Sequence, residues 1–367
     1  MQFENLQKFV IVLLYGGLIL QSHIVLSNPM NVNKKGNFFF GLFLFFWSTF
    51  WFLDVLTFCG FSPNRLLIFI IDILQIFTPI FLFFSAVFFI NPNYRFRKND
   101  LYCLIIPFIY FLLLLNSENK VFYIVAMFIG VSHNLLYIII IYFKIRHHQK
   151  RIQIISSNTE NINLQWFIEL IVQFFIILTI TVCYELYNIF IHKRNEHFIM
   201  DLLFLIIAYS ASRYSIRQKE IYPTNKKQRE ELLSLKLEDK ILADKKKLIP
   251  DNEFEDLKQQ LITIMETEKP YLDGELNLLK LSDLLQINIH QLSYLLNTGF
   301  NQNFFQFVNK YRIDLAKKLL LDNSQKKFSI LGIAYESGFN SKTSFNTIFK
   351  KMTKLTPSEF KKKYSDL

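Results

Sequence analysis

The chain has 367 residues, 51% of them hydrophobic and 17% aromatic, with a formal net charge of +11. Lys/Arg and Asp/Glu number 14 and 10 before Arg213, 27 and 20 from there on, and 14 and 6 from Lys280 onward. So apolar a first half excludes a uniformly water-soluble protein, and the positive excess is concentrated near the C-terminus. Cys59, Cys103 and Cys183 lie in or beside apolar stretches, with neither disulfide nor metal-ligand spacing. No Walker loop, dinucleotide fingerprint, nucleophile elbow or HExxH motif occurs, so neither an enzyme nor a bound cofactor or metal is expected.

Seven apolar stretches come first, at 6–26, 38–58, 66–90, 101–115, 121–143, 164–191 and 198–212. A membrane-crossing helix needs about 20 predominantly apolar residues, which all but the fourth and seventh supply. The first is too long for a signal-peptide core and lacks a small-residue cleavage site, so it is expected to be retained. Alternate loops carry Lys34 and Lys35, then Arg95, Arg97 and Lys98, then Lys144, Arg146, Lys150 and Arg151. The other loops carry only Arg65, Lys120, Lys193 and Arg194, so the first set is expected on the cytoplasmic side, with the N-terminus outside and the C-terminus inside.

Ionisable residues in such stretches are candidate ligand contacts. Asp54, Asp72, Glu185 and Asp201 fall toward the outer ends of spans two, three, six and seven, and His133 near the middle of span five. Two readings stand for the carboxylates: capping and hydration of helix ends, or an outward-facing acidic pocket for a cation or polar ligand.

Character changes after Ser212. Residues 213–250 form a charged linker in which 230–242 suggests an amphipathic helix. A solvated linker, a membrane-surface helix and a dimer seam all fit it. Residues 254–265 read as a second amphipathic helix. Asn277 can cap the next helix, and Asn288 with Gln291 offers a capping box for another, whose His290, Ser293 and Tyr294 face outward. From 303 to 320 the spacing of Phe304, Val308, Tyr311, Leu315 and Leu319 predicts one long helix.

The last stretch is the most specific. Ile330, Ile333 and Ala334 share one helical face, and Gly338 supplies a φ > 0 turn. Ser341 can cap a second helix, whose Phe345, Ile348 and Phe349 point inward. Lys342, Thr343, Asn346, Thr347 and Lys350 are left for the outer face. Thr356-Pro-Ser-Glu359 then completes a capping box. A cationic, hydrogen-bonding helix braced through a Gly turn is a helix-turn-helix DNA reader.

The run Ile333-Ala-Tyr-Glu-Ser-Gly-Phe-Asn-Ser341, with Phe345-Asn, Phe349-Lys-Lys and Thr356-Pro-Ser-Glu-Phe360, resembles the AraC/XylS family of bacterial transcription regulators over about 276–364. The resemblance implies two helix-turn-helix units joined by a rigid spacer helix. It also implies major-groove contacts from His290, Ser293 and Tyr294 in the first unit. Many relatives carry Gly where this chain has Lys354, so that turn is expected to be built differently. Phosphate contacts are expected from Lys280, Arg312, Lys326, Lys327, Lys350 and Lys351.

The expected architecture is all-α: a seven-helix transmembrane bundle (1–212), a charged helical linker (213–250) and an AraC-type double helix-turn-helix domain (251–367). Expected partners are double-stranded DNA, the lipid bilayer of a bacterial inner membrane and an unidentified small-molecule or membrane signal, with homodimerisation left open. Two rival readings are a non-sensing membrane anchor for a DNA-binding domain and a transporter with a regulatory tail.

Overall fold

The computed structural model describes residues 2–116, 118–190, 198–215, 218–223, 225–235, 247–322 and 329–364. The secondary structure there is helical, and the chain divides into two compact units. One comprises Met1–His147 and Leu164–Ile221, the other His148–Asn163 and Tyr222–Leu367.

The first unit contains α1 (Gln2–Ser27), α2 (Lys34–Phe58), α3 (Arg65–Gln75), α4 (Thr78–Ile90), α5 (Ile105–Leu114), most of α6 (Lys120–Ile155), α7 (Gln165–Phe190) and α8 (Phe198–Ser215). Its packing centres on α2. A side chain at Gly41 would meet the Leu26 Cγ at 2.6 Å, and the Ser22 hydroxyl donates to the Gly41 carbonyl at 2.8 Å. On the other flank a Cβ at Gly36 would lie 3.0 Å from the Phe89 ring, and the Ser85 hydroxyl donates to the Gly36 carbonyl. Small residues and short hydroxyl bonds let helices approach closely where apolar burial gives little drive, as between helices in lipid. Phe40, Phe43 and Trp47 pack edge-on or tilted against Trp166, Phe167 and Phe174 of α7 to form the interior. Phe9, Leu20, Phe108, Phe128, Phe143 and Ile206 are exposed on the outside, an arrangement suited to an apolar solvent.

Among the described residues, five helical segments are long and apolar enough to cross a membrane: Glu4–Ser27, Lys34–Phe58, Arg65–Ile90, Ile124–Ile155 and Gln165–Tyr184. The expected fourth span is a 3-10 turn at Lys98–Leu104 followed by the ten-residue α5, and Phe198–Ser212 is a shorter apolar helix. Ten α-helical residues rise about 15 Å, half of a hydrocarbon core. Asp100 explains the late start of α5: its carboxylate accepts from the Arg97 N–H and the Tyr94 hydroxyl, each at 2.6 Å, and pins the chain into the tighter helix.

The third apolar stretch is interrupted. Pro79 has no N–H to continue the ladder. The Phe77 N–H reaches back to Leu74, while Ile80 and Phe81 both donate to the Phe77 carbonyl. Among the described residues the Thr78 hydroxyl, buried beside this joint, has no hydrogen-bond partner. His133 of α6 is 1% exposed, lies beside the Ile76 carbonyl and packs edge-on against Tyr137.

In the second unit come α9 (Lys226–Ser234), α10 (Asp251–Thr267), α11 (Leu278–Leu284), α12 (Ile289–Phe300), α13 (Phe304–Leu321), α14 (Ile330–Glu336), α15 (Lys342–Thr353) and α16 (Pro357–Tyr364). α9 begins earlier than the 230–242 periodicity suggested because Asn225 caps it, and 236–246 lies outside the described residues. The expected caps form. Asn277 accepts from the Lys280 N–H, Ser341 accepts from the Ser344 N–H, and Asn288/Gln291 and Thr356/Glu359 close reciprocal boxes. Asn303 and Gln306 add a third box, at the start of α13. Caps of this kind contribute typically about 1 kcal/mol each. Lys354 takes the left-handed conformation, φ 67°, that glycine would occupy without strain.

Candidate DNA-binding surface

Two helices have the geometry of DNA readers. α15 buries Phe345, Ile348 and Phe349 in a cluster with Ile313, Ala316 and Leu320 of the spacer α13 and with Ile333, Ala334 and Phe339. Phe360 of α16 closes the cluster edge-on against Phe349, with ring centroids 5.4 Å apart. The outward set is as expected, with Lys342, Thr343, Thr347 and Lys350 exposed and Asn346 half-buried, and Lys351 is exposed beside them. Gly338, φ 85°, makes the turn, and a Cβ there would meet the Tyr271 carbonyl oxygen at 2.3 Å. Only glycine satisfies both conditions.

α12 is the corresponding helix of the first unit, with Ile289, Leu292, Leu295 and Leu296 buried. Its outward residues are half-buried and engaged. His290 Nε2 lies 3.1 Å from the Ser234 hydroxyl of α9. The Tyr294 ring packs edge-on against Phe254 of α10. The Ser293 carbonyl accepts from Asn297.

Arg312 corrects an expectation. It is 1% exposed, so it faces no phosphate. Its guanidinium donates to the carbonyls of Tyr271 at 2.7 Å and Asp273 at 2.8 Å and to the Ser157 hydroxyl at 3.1 Å, and it lies over the Phe339 ring. Burial pushes its pKa down to about 10, against the pull of Asp273 and Glu275, so it stays charged at neutral pH. The apolar stripe read from spacing was displaced: Phe304 and Val308 are buried but Tyr311, Leu315 and Leu319 only half-buried, while Asn309, Arg312, Ile313, Ala316 and Leu320 are buried because both helix-turn-helix units pack on the spacer.

Lys280 pairs with Asp273 at 2.6 Å, both side chains remaining nearly half exposed. Burial alone would raise the Asp273 carboxyl, but hydrogen bonds from Lys280 and the Glu275 N–H, with the Lys280 and Arg312 charges, hold it below the usual range. Lys326 and Lys327 lie outside the described residues.

The membrane-type candidates are dispersed in environment. Asp201 is buried and accepts from the Trp51 indole at 2.8 Å, with the Gln7 amide at 3.5 Å. Asp72 is half-buried and Asp54 exposed, while the Glu185 side chain lies outside the described residues. Among the described residues no group of three or more His, Cys, Asp or Glu is placed to hold a metal ion.

One set of contacts had no sequence signal. Residues 156–160, between α6 and α7, lie against the helix-turn-helix elements. Ser156 bridges to Asn277, and the Ser157 hydroxyl donates to the Leu276 carbonyl at 2.7 Å. Asn309 donates to the Ser157 carbonyl, and the Glu160 carboxylate accepts from the Ser341 hydroxyl.

The surface so built is that of a helix-turn-helix protein. Residues 281–363 match the family model described as a helix-turn-helix domain, and this part of the chain is a domain of the AraC type. The chain is also similar to an uncharacterized HTH-type transcriptional regulator in the cgkA 5′ region of Pseudoalteromonas carrageenovora, 42% identical over 65 residues. That match covers 18% of this chain and 36% of the relative, so the chain spans about a third of the relative's length. No solved structure matches.

Proposed function

We propose that the chain is a membrane-embedded one-component transcription regulator: its C-terminal domain binds specific double-stranded DNA, and its apolar helices receive a signal. The DNA-binding part rests on one observation, the exposed row Lys342, Thr343, Thr347, Lys350 and Lys351 with Asn346 on a helix whose opposite face is locked in the core. Lys can donate to guanine, Asn can pair bidentately with adenine, and Thr can meet a thymine methyl. The test uses the full chain and a duplex that it selects from a random-sequence pool. Asn346→Ala should cost about 1–3 kcal/mol on that duplex and relax preference at one base pair. Lys351→Ala should weaken selected and random duplexes alike and reduce the salt slope by about one. Unchanged affinity of Asn346→Ala for both duplexes would remove α15 as a base reader.

The membrane part of the proposal has the N-terminus outside and the DNA-binding domain in the cytoplasm of a bacterium. Its support is the Lys/Arg bias of alternate loops and the five long apolar helices. An alkaline phosphatase fused after Arg194 should be active and one fused after Arg151 inactive. The opposite pattern would overturn the orientation. For signal reception, Asp54, Asp72, Glu185, Asp201 and His133 remain the proposed contacts. His133 is buried beside the Ile76 carbonyl, at the joint between α3 and α4.

A further inference from the structure

We propose that the loop at 156–160 is an autoinhibitory latch, with Glu160 seated at the N-terminus of the second DNA-reading helix where a DNA phosphate would otherwise bind.

The seat is chemically an anion site. Ser341 is the N-cap of α15, a twelve-residue helix, and its hydroxyl both accepts from the Ser344 N–H and donates to the Glu160 carboxylate. The first-turn N–H groups and the helix dipole favour negative charge there, and recognition helices use these groups against phosphates. Lys342 and Thr343, the first residues proposed to reach bases, follow directly. A carboxylate here takes the place of a phosphate and repels the backbone that carries it.

The loop is anchored rather than resting there. Ser157 is 1% exposed and bonds the Leu276 carbonyl, the Arg312 guanidinium and the Asn309 amide. Through these partners it grips the start of α11, the spacer α13 and, via Glu160, the start of α15. A second element acts in the same sense on the other reader. Ser234 of α9 engages His290, while Arg151, near the end of α6, donates to the Leu232 carbonyl of α9 at 3.4 Å. Both reading helices are thus touched by segments that lie outside the matched domain, residues 281–363.

The latch and DNA compete, so whatever moves the loop changes DNA affinity by the free energy that separates docked from undocked loop. The inference rests on the DNA-binding reading, and its test separates the two. Full-length protein in lipid nanodiscs is titrated with a labelled duplex that it selected from a random pool. Glu160→Gln, an exposed position, should raise affinity about fivefold or more, and Glu160→Lys further. The slope of log K against log salt should steepen, because a negative charge leaves the DNA-facing surface. Independently, hydrogen exchange of the wild-type 155–163 amides should speed up when saturating duplex displaces the loop. Unchanged affinity in both variants, or a loop equally protected with and without duplex, overturns the latch while leaving DNA binding intact. Failure of wild type and variants alike to select any duplex removes the DNA-binding reading and the latch with it.

Discussion

Replacing Arg312 by methionine should destabilise the C-terminal unit by about 3–5 kcal/mol, the range for removing one member of a buried charged network. Methionine keeps the volume of the stem but offers no donors. The carbonyls of Tyr271 and Asp273 and the hydroxyl of Ser157 would then lose a buried partner together. Each orphaned buried acceptor costs about 1–3 kcal/mol. Urea unfolding of the full chain in detergent, followed by limited proteolysis of the C-terminal unit, reads the effect. A variant that unfolds like wild type but binds DNA with a smaller salt slope would return Arg312 to the phosphate-contact role first expected of it.

Phe349→Ala should be comparable in size, about 3–5 kcal/mol, as for other buried phenylalanines. The ring is fully buried and touches both Phe345 and Phe360 edge-on, so its removal opens a cavity that three helices bound. The damage should be local to the second helix-turn-helix unit. Proteolysis is expected to shorten the chain from its C-terminal side while α10 to α12 stay protected. Intact α14 to α16 under the same protease would mean that the cluster repacks and that the site tolerates the loss.

These variants separate what the sequence disclosed from what it hid. Caps and turns are local chemistry, so Asn277, Asn288, Ser341, Thr356 and Gly338 could be assigned from neighbours within four residues. The inward and outward faces of α15 followed from periodicity for the same reason. Lys354 shows the limit of local reading: the backbone keeps the turn that glycine usually makes and simply accepts a strained φ. Arg312 was misread because a basic side chain on a helix looks identical whether it meets a phosphate or folds back on a carbonyl. Only the distant Tyr271–Asp273 segment decides between them, and the contact of Ser157 with Leu276 spans 119 positions. The fourth apolar stretch failed as a long helix because Asp100 captures its start, a choice that hydropathy does not record.

The interruption between α3 and α4 bears on how the bundle meets its surroundings. In a bilayer, a continuous helix longer or shorter than the hydrocarbon layer must tilt as a whole or distort the lipid. The third stretch is two stiff rods of eleven and thirteen residues joined at Ile76–Phe77, where the usual ladder gives way to shorter-range bonds. A helix bends at lower cost at such a joint than along an unbroken ladder. A change in lipid thickness or lateral pressure would alter the angle between the rods before it strained either one, and His133 and Thr78 would lie where that angle changes.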